Sequence, residues 1–172
     1  ERKLLSCVDV LIIQDSLRFN SFCKNNNISL PVVFFPVSIQ PLLSGSESLS
    51  VSNYWHSRFA LPNNCKVILY FGLLMKERGL LGIVDAFDAN SDHVLIIHGY
   101  GNPLFIENLR KISLGKNVYF SLESVPSSFI PSLISSADIC LCWYESVDDN
   151  NSLTAFASEK IALSLRHGVP IV

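Results

Sequence analysis

Short, continuous apolar runs recur along this chain, and in its second half they alternate with stretches of helical spacing. The runs predict strands over 8–13, 32–35, 67–71, 93–97, 118–120, 139–143 and 170–172. Apolar runs without polar alternation are typical of strands that are buried on both faces of a sheet. We therefore expect a sheet that is covered by helices on each side.

The segments between these runs carry their apolar residues at the spacing of one helix face. Helices are predicted over about 80–87, 103–112, 128–137 and 158–167. Asn102 followed by Pro103 is typical of a helix start, because asparagine caps the first turn and proline is tolerated at its first position. Ser158 is the predicted N-cap of the last helix, and Gly168 is its predicted stop.

Strand and helix alternate from residue 67 onward, which is the pattern of βαβ units. The predicted fold class is α/β, a Rossmann-like doubly wound parallel sheet over residues 66–172. Residues 41–65 interrupt this rhythm with Ser, Gly, Pro and Asn, and they predict a linker followed by a short helix. Residues 1–40 contain two strands and two helical segments, so we interpret them as the tail end of a preceding domain. We expect both ends of the chain to be truncations.

Composition and charge exclude several classes of protein. Hydrophobic residues make up 49% of the chain and charged residues 16%, which excludes a disordered polypeptide. The net charge is −2 and no basic cluster is present, which argues against a nucleic-acid partner. The five cysteines are odd in number and lack CxxC spacing, so free thiols in a reducing cytosol are expected. The four histidines show no metal-ligand spacing, and no metal is expected.

The loop after the strand at 67–71 carries the first candidate chemistry. Ligands of open parallel sheets bind at the carboxyl ends of the strands. Here the chain reads "FGLLMKERGL", with Gly72, then Arg78, then Gly79 at a helix start. Glycine lets the backbone approach an anion closely, and a cation suits a diphosphate. The alternative interpretation is a solvated Lys-Glu-Arg turn.

Two further loops follow strands in the same way. After 93–97 the chain reads "HGYGNP", which predicts a second glycine turn that opens a helix. After 139–143 it continues into a long polar loop, and long loops at strand ends are disproportionately functional. The alternative for this loop is a mobile surface segment. Its polar residues are Glu145, Asp148, Asp149, Asn150, Asn151 and Lys160.

Taken in order, these segments resemble the C-terminal domain of the B-type, two-Rossmann-domain glycosyltransferases. The closest likeness is to the large retaining group that includes bacterial surface polysaccharide and lipopolysaccharide enzymes. The resemblance covers about residues 65–172. It is carried by "VILYFG", "KERG", "VLIIHGYG", "NVYFSLESV", "SSADICLCWYE" and "ASEKIALSLRHGVPIV". The earlier stretch "CVDVLIIQDSLRF" resembles the last βα unit of the acceptor domain in that family.

The resemblance implies roles for individual residues. Gly72 matches the glycine of the phosphate loop. Arg78, directly before Gly79, matches the basic residue that contacts the donor diphosphate. Ser158 and Lys160 match the S-x-K that opens the final helix beside the diphosphate and the donor sugar.

The chain also departs from the family pattern. A second basic residue, usual directly after the first glycine, is replaced by Leu73. Two glutamates that usually contact the donor sugar and the ribose are replaced by Ala155 and Leu163. The polar residues that are candidates to replace one of these glutamates are Glu145, Asp148 and Asn151.

The resemblance implies a glycosyltransferase of hexosyltransferase type that binds a nucleotide-diphosphate sugar and transfers the sugar to a glycan or lipid-linked acceptor, without a metal or cofactor. It further implies bacterial polysaccharide biosynthesis in the cytoplasm, with peripheral association of the full enzyme at the inner face of the membrane. Because most of the acceptor domain is outside this chain, we expect the fragment to be inactive and to self-associate through exposed apolar surface.

Two other functions are compatible with the same residues. One is a sugar-nucleotide epimerase of the same fold, and the other is a Rossmann-like binding domain without catalysis. The sequence leaves the nucleotide base, the sugar, the acceptor and the linkage open.

Overall fold

The computed structural model describes residues 2–39, 53–89, 92–146, 149–154 and 157–172. The strands are β1 (Leu11–Ile13), β2 (Val32–Phe34), β3 (Lys66–Leu74), β4 (His93–Gly101), β5 (Val118–Ser121) and β6 (Ile139–Cys140). The helices are α1 (Arg2–Leu5), α2 (Ser16–Asn26), α3 (Tyr54–Phe59), α4 (Leu80–Asp85), α5 (Pro103–Ile112), α6 (Ile130–Ser135), α7 (Asp149–Ser152) and α8 (Glu159–Arg166). Short 3-10 turns at Lys76–Arg78 and Ser127–Phe129 precede α4 and α6.

The larger sheet is parallel and has the strand order β5-β4-β3-β6. The strands predicted at 67–71 and 93–97 pair side by side, with Val67 opposite Val94. The end of the chain adds a parallel bridge between Ile171 and Cys140. From β3 the chain therefore moves outward through β4 to β5 and then returns to the other side of β3 with β6.

The two faces of this sheet bury separate apolar clusters. On one face Val67 and Leu69 pack with Trp55 of α3 and with Leu133 of α6. On the other face Tyr70 of β3 and Leu95 and Ile97 of β4 pack with Leu80 of α4 and Leu109 of α5. Helices cover both faces, so the α/β doubly wound fold class predicted from the sequence is confirmed.

The ends of two predicted helices are confirmed in detail. Asn102 Oδ1 accepts a hydrogen bond from Leu104 N at 2.9 Å and caps α5. Ser158 Oγ accepts one from Ile161 N at 3.3 Å and caps α8. After α8 the backbone of Gly168 has a φ of 68°, the left-handed conformation that glycine adopts at helix ends.

The glycine turn predicted directly after residue 97 is wrong, and the strand predicted over 67–71 is longer, because both strands continue through their glycines. The turn that ends at Gly79 lies at the start of α4, as predicted. β3 ends at Leu74 and β4 at Gly101, with Gly72 paired to Gly99 and Leu74 to Gly101. A β-carbon on Gly99 would lie 1.9 Å from the carbonyl oxygen of Gly72. The glycines therefore serve close approach of two paired strands, and the turns begin three to four residues later.

The first part of the chain forms a small unit of its own. β1 and β2 pair in parallel, and α2 connects them, capped by Asp15 Oδ1, which accepts from Arg18 N at 2.9 Å. Ile12, Phe34 and Phe35 on this unit are exposed. The elements match those predicted for residues 1–40, and the assignment of this part to a preceding domain stays a prediction.

Other sequence expectations concern the linker, the thiols and the membrane. Residues 41–52 of the predicted linker lie outside the described residues, and the short helix predicted in its later part is α3. All five cysteines are free, and Cys65 and Cys140 are buried while Cys7 is exposed. In the part of the chain that the structure describes, no helix combines the length and apolarity needed to cross a bilayer.

Candidate functional site

A polar cavity of about 370 Å³ lies where the loops after β3 and β6 diverge. The strand order changes direction at this point, and in open parallel sheets such a crevice is the usual place for a ligand. Four candidate residues from the sequence line it, namely Arg78, Asn151, Ser158 and Lys160. The other lining residues are Gln14, Arg18, Tyr144, Thr154, Ala157 and Glu159.

Arg78 is held in a fixed orientation at the wall of this cavity. Its Nη1 donates a hydrogen bond to Asn151 Oδ1 at 2.9 Å. Its guanidinium carbon lies 4.9 Å from the centre of the Tyr144 ring, at the distance of a cation–π contact. The Tyr144 hydroxyl in turn is 2.6 Å from Ser158 Oγ. The loops after β3 and β6 thus orient the guanidinium jointly.

Lys160 enters the same cavity from the first turn of α8. Its Nζ lies 4.4 Å from the centre of the Tyr70 ring and 4.9 Å from that of Tyr144. A β-carbon added to Gly72 would lie 3.5 Å from Lys160 Cδ, so the lysine side chain runs directly against this glycine. Burial, followed by the charge of Arg78, lowers the pKa of Lys160 to about 8. Two cations therefore share a cavity in which an anion would relieve their repulsion.

The buried charge of Lys160 predicts a gain in stability when it is removed. We expect Lys160→Met to raise the free energy of unfolding at pH 7 by about 1 to 3 kcal/mol, since its folded pKa is below the unfolded value. Below pH 8 the buried amine is charged, and its burial destabilises the folded state by the full amount. As the pH rises from 8 toward 10.5 this destabilisation disappears, so the stability gained by Lys160→Met should shrink over that range. Urea unfolding at several pH values measures it.

Lys111→Met is the matched control for this prediction. Lys111 is an exposed lysine of α5 that pairs with Glu107 at 2.7 Å. Its replacement should change stability by less than about 0.5 kcal/mol. A loss of stability in Lys160→Met at pH 7, relative to this control, contradicts the prediction.

Gly79 and Glu145 lie beside the cavity and are not among its lining residues. Gly79 has a φ of 65°, and a β-carbon on it would lie 2.8 Å from Trp143 and 3.1 Å from Glu145 Oε1. Glycine is therefore required at this turn, and the Glu145 carboxylate lies against it. Leu163, at the position of one missing family glutamate, packs against the apolar core. Asp148 and Ala155 lie outside the described residues.

A second cavity of about 360 Å³ lies at the carboxyl ends of β4 and β5. Gly72 is part of its wall, and Lys160 of the first cavity runs against the same glycine, so the two cavities adjoin there. The remaining lining residues are Phe71, His98, Gly99, Tyr100, Leu122, Glu123, Ser124, Val125 and Ile130. One cavity is polar and cationic, and the other has mostly apolar walls.

Four polar residues at this second cavity form a connected network that sequence reasoning missed. Ser121 Oγ lies 2.9 Å from His98 Nδ1 and donates to Glu123 Oε1 at 3.2 Å. Arg58 forms an ion pair with the same carboxylate oxygen. The one available signal was a histidine, His98, directly after the apolar run at 93–97. The network joins α3 and β4 to the end of β5 and the loop behind it, segments that are far apart in the sequence.

Arg18 of α2 is a second residue that the sequence did not reveal. Its Nε donates to the carbonyl oxygen of Leu153 at 3.1 Å, and its Nη2 donates to Thr154 Oγ1 at 3.3 Å. It thereby connects the first unit of the chain to the segment before α8. Partners this far apart in sequence leave no pattern that could be recognised.

Among the described residues, no group of three or more His, Cys, Asp and Glu side chains is placed to hold a metal ion. The charges that line the first cavity belong to Arg18, Arg78, Glu159 and Lys160. Three of these four side chains are cationic, so the cavity would attract an anion.

Solved structures of other proteins match the fold of this chain. No family model and no curated protein matches the chain. WaaG, a glycosyltransferase involved in lipopolysaccharide biosynthesis, matches with a TM-score of 0.63 and 16% identity over 94% of this chain and 43% of its own. HepE from Anabaena, solved with UDP and glucose, matches with a TM-score of 0.63 and 14% identity over 94% and 43%. Sucrose-phosphate synthase from Thermosynechococcus elongatus matches with a TM-score of 0.67 and 16% identity, over 99% of this chain and 41% of its own.

The fold is the Rossmann-like half of the GT-B architecture. The chain spans about two fifths of the length of these solved structures. At such low identity the likeness establishes the fold, and a function has to be argued from the site.

Proposed function

We propose that this chain is the donor-binding part of a glycosyltransferase and that it holds a nucleoside diphosphate sugar across the two adjoining cavities. The observation that carries the proposal is the convergence of Arg78 and Lys160 in the cavity at the switch point of the sheet. The diphosphate would lie between these two cations, with the strand glycine Gly72 beneath it. The two proteins WaaG and HepE, the second of which was solved with UDP and glucose, have the same fold.

Fixed cations suit the chemistry of sugar transfer. When the bond between the sugar and the diphosphate breaks, negative charge develops on the leaving phosphate. Arg78 is already oriented by Asn151 and Tyr144, so its guanidinium can stabilise that charge without reorganisation. Lys160 adds a second charge from the first turn of α8. We assign no metal or cofactor to this step, and no general base.

The second cavity suits the nucleoside end of the donor. Its walls include Phe71, Leu122 and Val125, and flat aromatic bases bind in mostly apolar clefts with a few polar groups. Since the cavities adjoin at Gly72, one molecule with a charged diphosphate and an apolar base can occupy both.

We also propose the wider role that the sequence implied for the whole protein. It transfers a hexose, with retention, to a glycan or lipid-linked acceptor in bacterial surface polysaccharide biosynthesis, in the cytoplasm and peripherally at the inner face of the membrane. WaaG, described as a lipopolysaccharide enzyme, supports this proposal. The chain alone is expected to lack transferase activity and to self-associate through apolar residues such as Phe35, which is 70% exposed.

Calorimetric titration of the chain with nucleoside diphosphates tests the proposal. GDP, UDP and ADP are each titrated in the presence of excess EDTA, with inorganic phosphate as the control. At least one nucleotide should bind more tightly than phosphate, and EDTA should have no effect. If none of the three binds, or if binding requires a divalent cation, the proposed function is wrong.

Donor binding should depend on pH through Lys160. Its pKa is lowered to about 8, and a bound diphosphate would raise it again. Below pH 8 the amine is charged with or without ligand, and above pH 8 binding must take up a proton. The affinity should therefore fall about tenfold between pH 7 and pH 9.

The groups that face Lys160 allow this pH profile to be assigned. They are Arg78, Cys142, Tyr70 and Tyr144. Burial raises the pKa of the Cys142 thiol and of both phenols above their ordinary values, so these groups stay neutral below about pH 9. Lys160→Met should bind more weakly at pH 7 and lose the pH dependence. An unchanged profile in this variant contradicts the assignment.

A further inference from the structure

The hydrogen bonds among the polar side chains of the second cavity determine which atom carries each proton. Ser121 has one hydroxyl proton, and it donates that proton to Glu123 Oε1. The contact of 2.9 Å between Ser121 Oγ and His98 Nδ1 must then use a proton on the imidazole. A neutral His98 that carries its proton on Nδ1 presents a lone pair on Nε2. The histidine is therefore a hydrogen-bond acceptor at its other edge.

The protonation states of His98 and Glu123 agree with these proton positions. Burial, the largest effect, lowers the pKa of His98, so the imidazole is neutral at pH 7. Burial opposes the charge of Glu123, but its own backbone N–H, Arg58 and Ser121 outweigh that effect and lower the pKa of the carboxyl. Glu123 is thus a carboxylate, which can only accept hydrogen bonds.

The carboxylate keeps acceptor capacity for a ligand. The side-chain contacts from Ser121 and Arg58 are both made to Oε1 of Glu123. A carboxylate has about four lone-pair sites, and Ser121, Arg58 and the backbone N–H of Glu123 use three of them, so one site is left for a ligand. His98 and Glu123 both line the cavity. A ligand that brings two N–H donors would therefore satisfy both acceptors.

The common bases differ in the donors that they present. Guanine carries N1–H and the 2-amino group side by side, which supplies one donor to each of two acceptors, the remaining site of Glu123 and Nε2 of His98. Uracil has one N–H between two carbonyl groups, which a carboxylate repels. Adenine and cytosine each place an amino group beside a ring nitrogen that is itself an acceptor.

We propose that the second cavity selects guanine, with Glu123 as the specificity-determining residue and His98 as a second acceptor, so that the donor is a GDP-sugar. This inference rests on the proposed function, which places a nucleoside in this cavity. It commits the donor to one base, which neither the sequence nor the fold determines.

Three nucleotides test the proposal on the unmodified chain. Calorimetry with GDP, IDP and UDP, at one salt concentration, compares three bases on the same diphosphate. IDP keeps N1–H and lacks the 2-amino group, so it should bind about tenfold more weakly than GDP. UDP should bind about ten- to a hundredfold more weakly, because a site built for donors rejects a base that lacks them. UDP binding as tightly as GDP overturns the inference and leaves the proposed function intact.

Glu123→Gln tests the role of the carboxylate. The amide keeps the shape but replaces one acceptor by a donor, so the difference between GDP and IDP should disappear while UDP binding changes little. The matched control is Glu107→Gln, an exposed glutamate of α5 that pairs with Lys111. It should retain the preference of the unmodified chain. A Glu123→Gln variant that still prefers GDP over IDP overturns the assignment of Glu123. If no nucleoside diphosphate binds at all, the proposed function fails, and the guanine assignment fails with it.

Discussion

Arg78→Ala is expected to weaken the binding of a nucleoside diphosphate about ten- to a hundredfold. A charged hydrogen bond contributes roughly 1.5 to 3 kcal/mol, and each 1.4 kcal/mol changes the affinity about tenfold. Leu73 stands where a second cation is usual in the family that the sequence resembles, so Arg78 should contribute more of the binding energy. Its contacts with Asn151 and Tyr144 orient the guanidinium before the ligand arrives. Calorimetry on the purified variant measures the loss.

Arg110→Ala is the matched control for this experiment. Arg110 also lies over an aromatic ring, with its guanidinium carbon 5.8 Å from the centre of Phe120, but it lies on α5 away from the polar cavity. Its loss should leave the affinity unchanged. Because the cations are fixed side chains, binding in the unmodified chain should survive EDTA and should weaken as salt rises. Equal affinity of Arg78→Ala and Arg110→Ala would remove Arg78 from the site.

Lys160→Ala should weaken binding less than Arg78→Ala if the amine meets the sugar rather than the phosphates. The contacts of Lys160 with Tyr70 and Tyr144 hold it at the junction with Gly72, where the donor would pass from one cavity to the other. Comparing the two variants with a nucleoside diphosphate and with its sugar derivative separates these positions. A loss that is equal for both ligands places Lys160 on the phosphates.

Gly99→Ala is expected to destabilise the protein by about 3 kcal/mol or more. The φ of Gly99 is 150°, and an added β-carbon would lie 1.9 Å from the carbonyl oxygen of Gly72 in the neighbouring strand. A side chain there forces the central strands β3 and β4 apart and strains the backbone. Urea unfolding of the variant measures the change in free energy.

Gly82→Ala provides the opposite case within the same chain. Gly82 lies in α4, and a β-carbon on it meets nothing within 4 Å. Alanine has a higher helix propensity, so this variant should be as stable as the parent or gain up to about 1 kcal/mol. If Gly99→Ala is no less stable than Gly82→Ala, the strands do not require glycine at this pair.

The order of strands and helices in this protein could be predicted because it depends on local patterns. Continuous apolar runs predicted β3 and β4, and their pairing in parallel followed from the helices between them. Asn102 and Ser158 cap their helices as predicted, since capping depends on a few adjacent residues. Arg78, Asn151, Ser158 and Lys160 could be selected because ligands gather at the strand ends of this type of fold, and the structure brings them to one cavity.

Only the tertiary structure decided what these residues contact. The sequence predicted Gly72 and Gly99 in the loops behind their strands, and it is their pairing across β3 and β4 that makes them parts of the sheet. Lys160 lies between Tyr70 and Tyr144, and that burial, not its place in the sequence, lowers its pKa to about 8. The network of His98, Ser121, Glu123 and Arg58 joins α3, β4 and the end of β5 with the loop behind it, and the sequence pattern does not relate these segments. Contacts between distant segments depend on how the layers pack, and a single sequence carries periodicity but not that packing.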